Sequence, residues 1–318
     1  EELKAQTILL AVPSLNLVRQ TLHTWARESL ANNRDYDWIV VCSDKSVDKA
    51  TKKDSTVVVQ DLGVRVHTDP GEIASWLKKS TDRPTLVLTT YQSGKVTAEA
   101  AQEAGIEFDL AIFDEAHKTT GKKDSLFSHL LYEANIKIKR RIFMTATERH
   151  YRGSSDRMAS MDDPHLYGET FELLSFKQAI EASPPLLSDY RILILTVTHD
   201  EVAALIDKNL FVRPDKGKWD DDIEARILTS VVALRKVIEE YKIRHSVSFH
   251  STIRRAEIFK EAQDSFGEAF PEYGKLENFH VSARKSTAER SRQMERFEAS
   301  KNSLITNARC LTEGVDIP

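Results

Sequence analysis

The sequence predicts an α/β protein of two domains, each built on a parallel sheet, and three observations carry this. Its 318 residues exceed the ~100–200 of a single domain. Short apolar runs alternate with amphipathic stretches, the pattern of βαβ units. The runs are near-continuous in apolar residues, as strands covered on both faces must be.

Taken in order, strands are expected at residues 7–12, 38–43, 85–90, 110–113 and 141–144. Helical segments fall between them, at 15–30 and 71–79. The alternation breaks over 150–190, where Arg152-Gly153-Ser154-Ser155-Asp156 reads as loop and Ser183-Pro184-Pro185 as a rigid turn. It then resumes. Strands are expected at 192–197, 247–249, 279–281 and 303–305, and helices at 221–241, 252–265 and 286–298. The domains are therefore set at 1–173 and 174–318. Asp220-Asp221-Asp222 is a charged helix start that suits the dipole, and there are no internal repeats.

Composition narrows the class. The chain is 41% hydrophobic and 30% charged with a net charge of −4, which argues against a charge-dominated DNA coat protein. A local nucleic-acid groove stays open, because local fields outweigh the total. Nothing approaches the ~18 continuous apolar residues of a membrane span, and no secretory leader opens the chain. Cys42 and Cys310 sit far apart in strand-like segments, without zinc spacing. Buried reduced thiols and a cytoplasmic setting are expected.

The strongest chemical signal is Asp114-Glu115-Ala116-His117, directly after the apolar run Leu110-Ala111-Ile112-Phe113. A strand that delivers two carboxylates to its carboxyl end can hold Mg²⁺ and orient a water. A second strand-like run, Arg141-Ile142-Phe143-Met144, ends in Thr145-Ala146-Thr147. Pro13 and Ser14 stand where a strand enters a helix, whose N–H groups suit a phosphate; Ser14 also reads as a plain helix cap. Thr89-Thr90-Tyr91-Gln92-Ser93 offers hydroxyls and an amide that hold phosphates without reading bases, and equally reads as a polar strand-to-helix turn. His117 alone could be a capping or core histidine. Phe249 reads as core, and Arg284, Lys285, Arg290 and Arg292 as solvated helix surface.

Taken together, these motifs resemble those of superfamily 2 helicases of the DEAH-box type. Ala11–Ser14 is similar to motif Ia, Asp114–His117 to motif II and Thr145–Thr147 to motif III. Ser248-Phe249-His250-Ser251 resembles motif IV, and the run from Ser303 to Pro318, with Thr306-Asn307 and Glu313-Gly314-Val315-Asp316-Ile317-Pro318, resembles motif V. The resemblance implies two tandem RecA-like domains, the P-loop NTPase helicase fold, with ATP and Mg²⁺ between them. It assigns Asp114 and Glu115 to the metal and the attacking water. His117, with Thr145 and Thr147, would couple nucleotide state to the sheet. Gly314 and Asp316 would face the nucleotide. Pro13, Ser14, Thr90, Ser93, His250, Ser251 and Thr306 would face the nucleic acid.

The wording of the motifs is similar to the motor portion of restriction-modification and related phage-defence enzymes, the type III Res-subunit or single-chain type I class. That implies translocation along double-stranded DNA, with nuclease or methyltransferase domains or subunits as partners. The alternatives are a strand-separating DNA or RNA helicase, and a non-catalytic nucleic-acid-binding scaffold, against which an intact Glu115 argues. No Gly-x-x-x-x-Gly-Lys-[Ser/Thr] occurs, and motif VI with its arginine would follow Pro318. The expectation is therefore a fold truncated at both ends. An arginine finger contributes ~10³–10⁵ in rate, so these residues alone are expected to be inactive as an ATPase.

Overall fold

A computed structural model describes residues 4–42, 64–79, 82–151, 157–198, 221–282, 285 and 287–308. They form two compact units that divide between Glu172 and Leu173.

The first unit is built on a six-stranded sheet in the order β3-β2-β4-β1-β5-β7. The strands are β1 (Thr7–Val12), β2 (Asp37–Val41), β3 (Val66–His67), β4 (Thr85–Thr90), β5 (Leu110–Phe113) and β7 (Arg141–Phe143). Every pairing in it is parallel. β1 shows why the apolar runs are continuous. Leu9 and Ala11 enter one core with Val87, Ala111 and residues of α2 (Pro70–Leu77) and α3 (Gly94–Ala104). Ile8, Leu10 and Val12 enter the other, with Leu15 and Val18 of α1 (Leu15–Ala31). Successive side chains point to opposite faces of a strand, so both faces need apolar cover.

Local chemistry fixes where these elements begin and end. Ser14 caps α1 by accepting from Leu17 N–H at 3.3 Å. Asp69 caps α2 by accepting from Glu72 N–H at 2.8 Å, with Pro70 at the first helical position. Gly105 ends α3 at φ 68°, the left-handed closure that glycine adopts without steric cost. Gly94 opens α3 so close to Leu130 that a Cβ would stand 2.9 Å from Leu130 Cγ. At the amino end of the sheet, Asp109 Oδ2 accepts from Gln6 N–H, Thr7 N–H and the Thr7 hydroxyl, while Oδ1 meets Lys139 Nζ at 2.7 Å. One carboxylate thus pins the start of β1 to β5. A two-stranded ribbon of β6 (Gly121–Lys122) and β8 (Met158–Ala159), with the short helix α4 (Pro164–Tyr167), completes the unit.

The second unit begins with the short helix α5 (Phe176–Glu181). Its described sheet is parallel, in the order β10-β11-β9. The strands are β9 (His245–Phe249), β10 (Glu277–Val281) and β11 (Ser303–Asn307), accompanied by helices α6 (Asp221–Tyr241), α7 (Ile253–Ala269) and α8 (Thr287–Ala299). Leu228, Val231 and Val232 of α6 pack with Phe259, Ala262 and Phe266 of α7 and Leu304 of β11. The buried Arg235 ties this layer together. Its guanidinium donates to Gln263 Oε1, to the Gln263 carbonyl and to the Gly274 carbonyl at 2.8–3.0 Å.

One expected strand is absent. Residues 192–197 take no regular structure, and Ile192 and Ile194 are 80% and 93% exposed. Apolar composition alone does not make a strand: a neighbour must supply partners for its N–H and C=O groups. None of the described residues does so. Among the described residues no helix is long and apolar enough to cross a membrane.

Candidate active site

The Asp114–His117 turn leaves β5 under tight backbone control. Asp114 N–H continues the ladder by donating to Ala11 O at 3.0 Å. Ala116 N–H donates to Met144 O at 2.9 Å, directly after β7. The turn is thereby bonded to both neighbours of β5. Glu115 stands between at φ 50°, ψ 44°, a left-handed backbone that costs a non-glycine residue ~1–3 kcal/mol. Two features hold its peptide: Asp114 Oδ1 accepts from Glu115 N–H at 2.9 Å, and the Tyr91 hydroxyl donates to the Asp114 carbonyl at 2.6 Å. The Thr119 and Thr120 hydroxyls donate back to the carbonyls of Ala116 and His117, each at 2.7 Å.

The side chains then organise around His117, which is buried. Its Nδ1 lies 3.2 Å from Glu115 Oε2 and 3.0 Å from Thr145 Oγ1. The Thr145 hydroxyl donates to Thr147 O at 3.0 Å and accepts from Thr147 N–H at 3.1 Å. A hydroxyl has one proton to give, and Thr145 has given it to Thr147. His117 Nδ1 must therefore carry the proton and donate, toward both the threonine and the carboxylate. This is the tautomer assignment the network requires.

Beneath the turn lies an aromatic stack. Tyr91 lies flat against Phe113 with ring centroids 6.4 Å apart, and Phe113, Phe143 and Tyr167 follow at 4.8 and 4.9 Å. Burial first, then the charges of Asp114, Tyr167 and Glu115, holds the Tyr91 phenol well above its usual range. It stays a donor. This residue was not among the expected site residues, although an aromatic side chain inside the polar run Thr-Tyr-Gln-Ser was its signal.

The other described site residues lie, within each unit separately, at or near the carboxyl ends of strands, the edge where open α/β sheets bind ligands. Pro13 follows β1, and its carbonyl accepts from Gln92 Nε2 at 3.3 Å. Ser14 is occupied as a helix cap. Thr90 and Ser93 are 3% and 1% exposed, and the Thr90 hydroxyl donates to Ser93 Oγ at 3.1 Å. In the second unit, His250 Nε2 lies 3.0 Å from Ser248 Oγ and its ring leans on Phe259. Burial, then His280 and Arg255, lowers its pKa. Ser251 Oγ accepts from Arg255 Nη1 at 3.0 Å. Thr306 is buried, with its hydroxyl 2.9 Å from His280 Nδ1. Gly314 and Asp316 lie outside the described residues.

Among the described residues no three metal-ligating side chains converge. Mg²⁺ does not require such a cluster, since it is commonly held by one or two carboxylates and substrate phosphates. The hard oxygen donors of Asp114 and Glu115 suit that ion.

In fold and motif order the chain resembles a superfamily 2 helicase core and the motor subunits of restriction enzymes. Residues 1–150 match the family described as the res subunit of type III restriction enzymes. The ATP-dependent Type ISP restriction-modification enzyme LlaBIII, solved bound to DNA, superposes with a TM-score of 0.75 at 26% identity, over 99% of this chain and 22% of that one. A nuclease-deletion mutant of the Type ISP enzyme LlaGI, in complex with a DNA substrate mimic, matches in fold with a TM-score of 0.59 at 23% identity, over 95% of this chain and 20% of that one. The chain thus spans about a fifth of the length of these enzymes. No curated protein was found to match it. The six-stranded parallel sheet of the first unit is that of a RecA-like helicase fold.

Proposed function

We propose that this chain is the motor core of an ATP-dependent translocase on double-stranded DNA, within a cytoplasmic restriction-modification or phage-defence enzyme. One observation carries the reading: Glu115, held left-handed at the carboxyl end of β5, shares His117 with Thr145 at the end of β7. ATP with Mg²⁺ supplies the phosphoryl group to be transferred. Asp114 would hold the metal. The Glu115 carboxylate, oriented by the His117 Nδ1–H, takes the proton of the attacking water. His117 passes changes at Glu115 to Thr145, and Thr147 bonds both ways to Thr145. By the motif resemblance, Pro13, Ser14, Thr90 and Ser93 of the first unit, and separately His250, Ser251 and Thr306 of the second, are assigned to the DNA backbone, with Thr90, Ser93 and Thr306 buried beneath their strand ends. The motif resemblance assigns Gly314 and Asp316, which lie outside the described residues, to the nucleotide, and nuclease or methyltransferase modules would act on what the motor moves.

The sequence has no phosphate-cradling loop motif, so these residues alone should turn over no ATP. Adding such a loop upstream and an arginine-bearing motif VI segment downstream should restore hydrolysis that double-stranded DNA stimulates. Displacement of a triplex-forming strand without duplex separation would mark translocation; duplex separation would favour a strand-separating helicase. DNA binding without hydrolysis in the extended protein would favour the scaffold reading and defeat this one.

A further inference from the structure

The peptide plane between Asp114 and Glu115 is held from both ends. Its carbonyl accepts the Tyr91 hydroxyl at 2.6 Å, and its N–H donates to Asp114 Oδ1 at 2.9 Å. Rotation of that plane changes ψ of Asp114 and φ of Glu115 together. Glu115 sits at φ 50°, ψ 44°, a conformation that persists in a non-glycine residue only where its surroundings over-determine it. Only one of the two holds comes from outside the turn, and it is Tyr91.

Tyr91 is well placed to act as a fixed post. It has no solvent exposure, and its ring is gripped by Phe113 and by Phe127, the latter at 5.8 Å. It opens the single 3₁₀ turn Tyr91–Ser93 that joins β4 to α3. Within the same turn Gln92 bonds to Pro13 O, and Ser93 receives the Thr90 hydroxyl. The ends of β1, β4 and β5 are therefore tied through four consecutive residues.

We propose that Tyr91 is a positioning residue: its hydroxyl sets the Asp114–Glu115 peptide plane, and so keeps Glu115 in the left-handed backbone that brings its carboxylate to His117. Tyr91 does this without touching substrate. The consequence for hydrolysis rests on the reading of Glu115 as the water-activating carboxylate; the effect on the backbone does not.

The test is Tyr91→Phe, which keeps the ring and its stacking and removes one oxygen. Amide hydrogen exchange in the 318-residue chain is the first readout. Exchange at residues 115–117 should quicken about five- to tenfold, the worth of one hydrogen bond, while the amides of β1 and β4 are unmoved. Fluorotyrosine at the same position keeps the hydroxyl and should exchange as the natural residue does. Unaltered exchange at 115–117 in Tyr91→Phe overturns the proposal. So does a uniform rise that includes β1 and β4, because the hydroxyl then supports the whole unit and no particular peptide. The second readout uses the form extended with both the phosphate-binding loop and the arginine-bearing segment. There kcat should fall about tenfold with KM for ATP unchanged. If the unsubstituted protein in that form hydrolyses no ATP, the motor reading fails, and the exchange experiment still decides the positioning role.

Discussion

His117 Nδ1 stands 3.0 Å from Thr145 Oγ1 and 3.2 Å from Glu115 Oε2, so one proton faces the ends of two neighbouring strands. Because Thr145 has committed its own hydroxyl proton to Thr147, that geometry has a direction: His117 donates and Thr145 accepts. A change in what Glu115 binds alters the pull on this proton and is felt at Thr145.

Thr145→Val keeps the branched shape and removes the acceptor. In an ATP-hydrolysing form of the protein, stimulation by DNA should drop about tenfold, within the range of coupling losses of this kind. Affinities for ATP and for DNA, measured separately, should hold. Thr145→Ser, which retains the hydroxyl, should behave as the natural residue. Equal losses in both variants would argue against the hydrogen bond as the link.

Glu115→Gln preserves size and the left-handed turn while ending the capacity to take a proton from water. Hydrolysis should fall by ~10²–10⁴, and nucleotide binding should survive in equilibrium titration. DNA affinity should be unaltered. Full turnover in this variant would remove Glu115 from the role assigned to it.

Asp109 yields a pH-dependent prediction. The hydrogen bond from Lys139 holds its carboxyl well below the usual carboxylate range against the opposing effect of burial, and smaller contributions from Gln6 and Thr7 lower it further. A carboxylate whose pKa is depressed on folding stabilises the fold above the ordinary value near ~4, and that contribution drains away as pH falls toward the folded value. Asp109→Asn should therefore cost about 1–2 kcal/mol at neutral pH, discounted because Lys139 is largely exposed. Denaturant titration at successively lower pH should show the gap between variant and natural protein closing below pH ~4. A gap independent of pH would assign the effect to shape alone.

Cys42 should be chemically silent. Burial pushes its thiol up to about 12, against a smaller lowering from the Thr90 backbone N–H. Mildly alkaline alkylation of the native chain should modify Cys42 at least roughly a hundredfold more slowly than in the unfolded chain. Rapid native labelling at this position, read by mass spectrometry, would show that β2 opens readily.

Much of this was legible in the residues themselves. The runs at 7–12, 85–90 and 110–113 match β1, β4 and β5 residue for residue, because a strand covered on both faces must be apolar throughout. The carboxylate pair at the end of β5 and the hydroxyls after β7 were equally visible, since short polar residues abruptly ending an apolar run have nowhere to be but a strand end. Residues 192–197 show the limit: their apolarity is strand-like, but pairing is a property of two segments, and no described neighbour supplies the second. Tertiary structure alone decided that β1 lies between β4 and β5, that β7 flanks β5, and hence that His117 meets Thr145. It alone set Glu115 left-handed and brought Tyr91 to the Asp114 carbonyl, for these depend on hydrogen bonds between atoms remote in sequence, whose directions no local propensity encodes.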